Sequence, residues 1–309
     1  MRALSSMAWR WMGACFAALM VAQPSAFAQA EKPVPLTTAM PELTPGEWGW
    51  RVEQPTSALF RGAVNRDAAG GGAVGMLYPG GHALVALAAI LTHAAINSAA
   101  REAEDKKLRE DADKVLDPLR EVLSDVTVAT LDQGVKQHVQ GSALLQGHGP
   151  SEASRRWTAE LVPTLTLAQS ARSWMLDVQV NLWNEPRATE PYAIRVVRVI
   201  SDPVSAEQAI EYWRADGGVN LKRVVAGLMA EALDLSLSDR APQPNAPQRT
   251  VRFLDGVDEK VERAAVLAKA CGRVQFRSLR EWLVSAPLPN AEIADAEAPA
   301  CLVAKKRFQ

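Results

Sequence analysis

Histidine, cysteine and tryptophan are the side chains whose placement in this 309-residue chain could support metal, redox or ring-stacking chemistry. The four histidines do not build a metal site. His82 and His93 return to one helix face but stand about 16 Å apart along its axis, beyond the reach of a single ion. His138 and His148 fall in a loop-like stretch flanked by Gly141, Gly147 and Gly149, with no carboxylate pair nearby. The patterns G-x-S-x-G, S-x-x-K and H-E-x-x-H do not occur, so no activated serine or catalytic zinc helix is marked. Gly70, Gly72 and Gly75 match G-x-G-x-x-G, yet Asn65-Arg66-Asp67 stands where the preceding strand should be, so the glycines read as packing or turn residues. No catalytic, cofactor or metal-binding residue is assigned.

Tryptophan is the better lead. Nine Trp outnumber six Phe and three Tyr, which makes stacking and amphipathic docking the chemistry to look for. Trp174 and Trp183 sit at opposite parity on one alternating segment, so Trp174 faces the core and Trp183 the wetter side, where it is a candidate binding residue. Trp48 and Trp50 flank Gly49 in a Pro-rich stretch; they dock that stretch onto the domain or bind a ligand such as a sugar.

The first residues name a compartment. Arg2 and Arg10, an uncharged apolar stretch from Trp11 to Ala22, and the small-x-small site Ala26-Phe27-Ala28 make a secretory signal peptide cleaved after Ala28. The apolar stretch is about a dozen residues, short of the roughly 20 that span a bilayer. Cys15 lies inside that stretch and not at its end, so lipidation is not expected. Removing residues 1–28 takes away two of the 34 basic residues and no acid, leaving 32 against 35 acids, a net charge of about −3 with no attraction for nucleic acid. In an oxidising compartment the two remaining cysteines, Cys271 and Cys301, are expected to form a disulfide.

These residues need a scaffold, and the spacing predicts an α+β one. Residues 29–67 form a Pro-rich leader. Residues 68–124 combine a Gly-rich, charge-free stretch (Ala68 to Ala100) with one long helix from about His82 to Leu123, kinked near Pro118 and laced by the pairs Glu102–Lys106, Asp105–Arg109 and Glu110–Lys114. Residues 125–238 hold the α+β domain. Its strands end at Leu167, run through Trp174 to Leu182, and return from Tyr192 to Ile200 as a three-stranded antiparallel meander. A helix opened by a Ser205/Gln208 capping box ends at Gly217-Gly218. A second follows on Leu221, Val224, Val225, Leu228, Ala232 and Leu235, and the two cover the dry face. Residues 239–250 read as a linker, and 251–309 as a small α/β module: strands at Val251–Leu254 and Trp282–Ser285 around a helix from Asp258 to Ala270.

The segments Trp174–Trp183, Tyr192–Val199 and Trp213-Arg214-Ala215-Asp216 resemble uncharacterised exported proteins of proteobacteria across the central third of the chain. The shared features are packing patterns and carry no activity or catalytic residue across. The reading is a periplasmic, non-enzymatic envelope factor that binds a protein partner or a second copy of itself, with no cofactor. The alternatives are a membrane-associated oligomer through residues 73–98 and an enzyme acting on the cell wall. Expressed in a Gram-negative host, the protein is expected in the osmotic-shock fraction with Gln29 as its first residue. N-terminal sequencing checks this, and a retained Met1 would overturn it.

Overall fold

The computed structural model describes residues 48–55, 58–64, 104–139, 157–184, 190–238 and 246–289. The signal segment, the Gly-rich stretch with the first part of the long helix, His82, His93, His148 and Cys301 lie outside them. The fold is α+β, with a nine-stranded, mostly antiparallel sheet.

The centre of the sheet is β3 (Trp157–Leu167), β4 (Trp174–Trp183) and β5 (Ala193–Ile200), antiparallel in sequence order. Their alternating apolar residues all point one way. Leu161, Leu165, Leu167, Trp174, Leu176, Val180, Val197 and Val199 are completely buried, each contributing about 1.5–3 kcal/mol by leaving water.

The outer edge of β3 is taken by two short parallel strands, β1 (Trp48–Val52) and β2 (Phe60–Gly62), in the stretch expected to be an extended leader. One residue explains the split. The Leu161 and Leu167 carbonyls and the Leu165 N–H bond outward to this edge, so Pro163 has the same orientation and no N–H to offer there. The outer chain leaves the sheet opposite it and returns at Phe60.

Helices cover the apolar face. α4 (Ala209–Ser238) runs as two halves separated by non-helical Ala215 to Gly218, and the expected second helix forms its buried half. Its Leu221, Val224, Val225 and Leu228 belong to the main core. The capping box is not formed: Ser205 makes no side-chain cap bond and the chain enters through a 3-10 turn, Ala206–Gln208. α3 (Val128–Val139) was not anticipated, and it moves His138 from a loop to a helix end, where Nδ1 lies 3.0 Å from the Gly134 carbonyl oxygen. Thr127 and Thr130 bond reciprocally at its start, each hydroxyl accepting from the other's N–H, a capping box without glutamate.

The described part of the long helix is broken. α1 (104–113) tightens into a 3-10 stretch, Lys114–Leu119, which contains Pro118, before α2 (Arg120–Ser124) resumes. Of the expected ion pairs, Glu102–Lys106 lies outside the described residues; Lys114 bonds Asp111 at 2.6 Å and not Glu110, and Lys106 meets Glu110 at 3.8 Å.

The C-terminal strands are β6 (Gln248–Asp255), β7 (Asp258–Ala270), β8 (Arg273–Ser278) and β9 (Leu283–Pro287). The helix expected from Asp258 to Ala270 is therefore a strand. Its apolar residues fall on both faces, with Val261 exposed and Ala264 and Ala265 buried, and a bulge between Val266 and Ala268 breaks what alternation remains. Cross-strand pairing on both sides then overrides the helix preference of its Ala, Lys and Glu residues. Nor do these strands form a sheet of their own. β9 pairs with β5, extending the central sheet.

Gly62 marks the tightest packing. A Cβ there would lie 1.9 Å from the Ala112 carbonyl oxygen, while its N–H donates to Asp113 Oδ1 at 2.7 Å. Gly62→Ala is expected to destabilise the protein by about 1–3 kcal/mol, read from the urea midpoint. An unchanged midpoint would mean that β2 does not rest on the end of α1.

Candidate binding face

The sheet face opposite α4 is where polar and aromatic side chains gather. β4 turns Met175, Asp177, Gln179, Asn181 and Trp183 to this side, because its other parity is consumed by the core. β3 adds Glu160, β1 adds Arg51 and β5 adds Arg198. Three groups follow from the register.

The first is a row across the strands. Arg51 stands opposite Glu160, and Glu160 opposite Asn181. The Arg51 guanidinium donates to Glu160 Oε2, from Nε at 3.1 Å, and Arg51 also meets Glu53 at 3.0 Å. Asn181 Nδ2 donates to Glu160 Oε1 at 2.9 Å, and Gln179 Nε2 to Asn181 Oδ1 at 2.8 Å.

The second group is Asp177 with Arg198, directly opposed on β4 and β5. The guanidinium donates twice, Nε to Oδ1 at 2.7 Å and a terminal nitrogen to Oδ2 at 2.8 Å. Its carbon lies 5.0 Å from the Trp282 ring centre, a cation–π contact. Burial acts to lower the Arg198 pKa. The hydrogen bonds and charge of Asp177, joined by Asp255 and Glu262, outweigh it and leave the pKa raised.

The third is Trp183 itself, half-buried at the end of β4, its indole nitrogen covered and without a hydrogen-bond partner among the described residues. Trp183 and Asp177 are six residues apart on one strand, so the Trp183 end and the Arg198–Trp282 end are separated by about 20 Å.

Trp50 is not on this face. It is 1% exposed, packed in the main core, and docks its stretch onto the domain. Trp48 begins β1 opposite Trp157, its side chain lying outside the described set. Comparison with protein-family models, curated proteins and solved structures finds no match.

Chemically the face offers fixed donors, acceptors and ring surfaces. Glu160 and Asp177 each already accept bonds from an arginine, so their oxygens are engaged within the sheet. A serine–carboxylate contact does occur elsewhere, where Ser285 Oγ donates to Glu231 Oε1 at 3.1 Å, but Ser285 is completely buried beneath α4, beyond a substrate's reach. A cavity of about 450 Å³ lies along α1, lined by Arg61, Asp105, Lys106, Arg109, Glu110 and Asp113, whose charges balance. Among the described residues no three His, Cys, Asp or Glu side chains converge as metal ligands.

Sequence reasoning placed Trp183 on this side of β4 and did not single out Arg198, Trp282 or Glu160. The alternation of β4 already marked its wet side, but the partners opposite depend on register, which no local signal carries. A double-mutant cycle of Asp177→Ala and Arg198→Met is expected to give a coupling of about 1–2 kcal/mol for this partly exposed, bidentate pair. A coupling near zero would mean the pair contributes nothing to the face.

Proposed function

We propose that this protein is an exported, non-enzymatic binding factor of the cell envelope, and that the sheet face bearing Trp183, Asn181, Gln179, Asp177 and Arg198 docks a protein partner. The observation that carries the reading is that this face is built for contact. Its charged groups are locked to one another in advance, its ring surfaces stand at both ends, and Val162, Ile194 and Val196 lie half-buried between them. Side chains already held in place lose little freedom when a partner arrives. Aromatic and arginine groups are also the ones that dominate protein interfaces.

Export rests on the signal segment and carries with it the pairing of Cys271 and Cys301. Cys271 occupies the two-residue β7–β8 turn with φ 58°, followed by Gly272 at 72°. That left-handed position favours Asn, Asp or Gly. A cysteine there is better explained by its sulfur than by its backbone preference. Membrane association through residues 73–98 concerns a stretch outside the described residues. No helix among those described is long and apolar enough to cross a membrane.

A photo-activatable residue at Gln179, exposed at the middle of the face, is expected to crosslink a discrete partner in intact cells. The same residue at Glu211, exposed on α4, is expected not to. Adducts at both positions, or at neither, would remove this reading.

A further inference from the structure

The sheet is made in two parts that meet at a short parallel seam. β5 and β4 pair from Met175 through Leu182, but β5 and β9 pair only where Val197, Arg198 and Val199 meet Leu283, Val284 and Ser285. Beyond the seam the C-terminal strands have an apolar core of their own. Val251, Phe253, Ala264, Val274, Phe276, Val284, Ala286 and Leu288 pack together, with Ile200 as the buried residue contributed by the central strands.

A buried guanidinium bridges the two parts. Arg273, 7% exposed at the start of β8, donates to the Ile200 carbonyl at 2.7 Å, to Asp202 Oδ1 at 3.0 Å, and to the Ser285 carbonyl at 3.2 Å. Ser285 and Gln275 in turn donate to Glu231 on α4, at 3.1 and 2.9 Å. The seam thus depends on a few backbone bonds, a buried polar network, the Arg198–Trp282 contact and one buried apolar residue lent each way, Leu283 to the main core and Ile200 to the C-terminal one. Removing a buried charge from its partners is costly, whereas the apolar cores on either side need no such partners. Stability within a fold is not uniform, and units with separate cores open separately.

We propose that the β5–β9 seam opens as a unit, withdrawing Leu283 from the main core and Ile200 from the C-terminal one while the rest of each core stays folded, and that Arg273 is the latch that keeps it closed. Opening frees Ile200 and, beside it, Met175, which share the face of Asp177 and Arg198. The molecule then has a closed state and an open one, the open one presenting more apolar surface on that face. The inference does not require that the face bind a partner.

Hydrogen exchange followed by mass spectrometry on the full chain tests it. In mild urea the amides shared by β5 and β9 are expected to exchange together and at least ten-fold faster than those between β3 and β4, with β7–β8 amides still protected. A single loss of protection across the whole sheet overturns the proposal, and this result needs no variant. Arg273→Gln is expected to speed exchange at the seam a further ten-fold or more and leave β3–β4 unchanged. Equal acceleration throughout would make Arg273 an ordinary core residue and overturn its role as latch.

Discussion

The packing of the second half of α4 against the sheet is the contact on which the rest of this structure depends. From Val224 to Leu233 every residue of that helix is buried, which a helix lying on a surface would not need. The sheet covers one side and α3 another, with Gly134 placed so that even a methyl group there would meet the Ala226 Cβ at 2.6 Å. The start of this helix is set by the left-handed run Asp216, Gly217 and Gly218. The half before it is pinned by Trp213, whose indole nitrogen donates to the Ala171 carbonyl at 2.7 Å. Trp174 and Phe60 extend the same aromatic cluster to the edge strand.

This one-sided covering makes the two faces of the central strands different materials. Where α4 lies, side chains are apolar and interlocked, and Glu231 of the helix is bonded to strand residues. On the other face water remains available, so charges survive there by pairing across strands. The C-terminal strands reconcile the two. They pass beneath α4 at Leu283 and Ser285, and close their own core over the opposite end of the sheet at Ile200 and Met175.

How much of this was readable from the sequence depended on whether a pattern was local. The alternation of Trp174 to Trp183 placed every residue of β4 on its observed face, and the Gly217-Gly218 break fell where the two halves of α4 separate. What failed was information held by distant partners. Asp258 to Ala270 has helix-forming composition, and only its neighbours β6 and β8 make it a strand. β1 and β2 look like a proline-rich leader until β3 supplies their hydrogen bonds. Of the candidate face, Trp183 was legible because parity alone places it. Arg198 and Trp282 were not, since their meeting joins β5 to the approach to β9. The Ser205/Gln208 motif shows the converse, a local signal present and unused.

The edge strands bear on the order in which the chain must assemble. Arg51 finds Glu160 109 positions later, so a chain emerging from its N-terminus presents β1, with the large apolar side chain of Trp50, well before the strand that will cover it exists. Such a long wait makes the edge a late event in folding, because distant ends must first be brought together. For that interval Trp50 is a sticky, unpaired element at the front of the chain. The same residue later becomes one of the most deeply buried of those described.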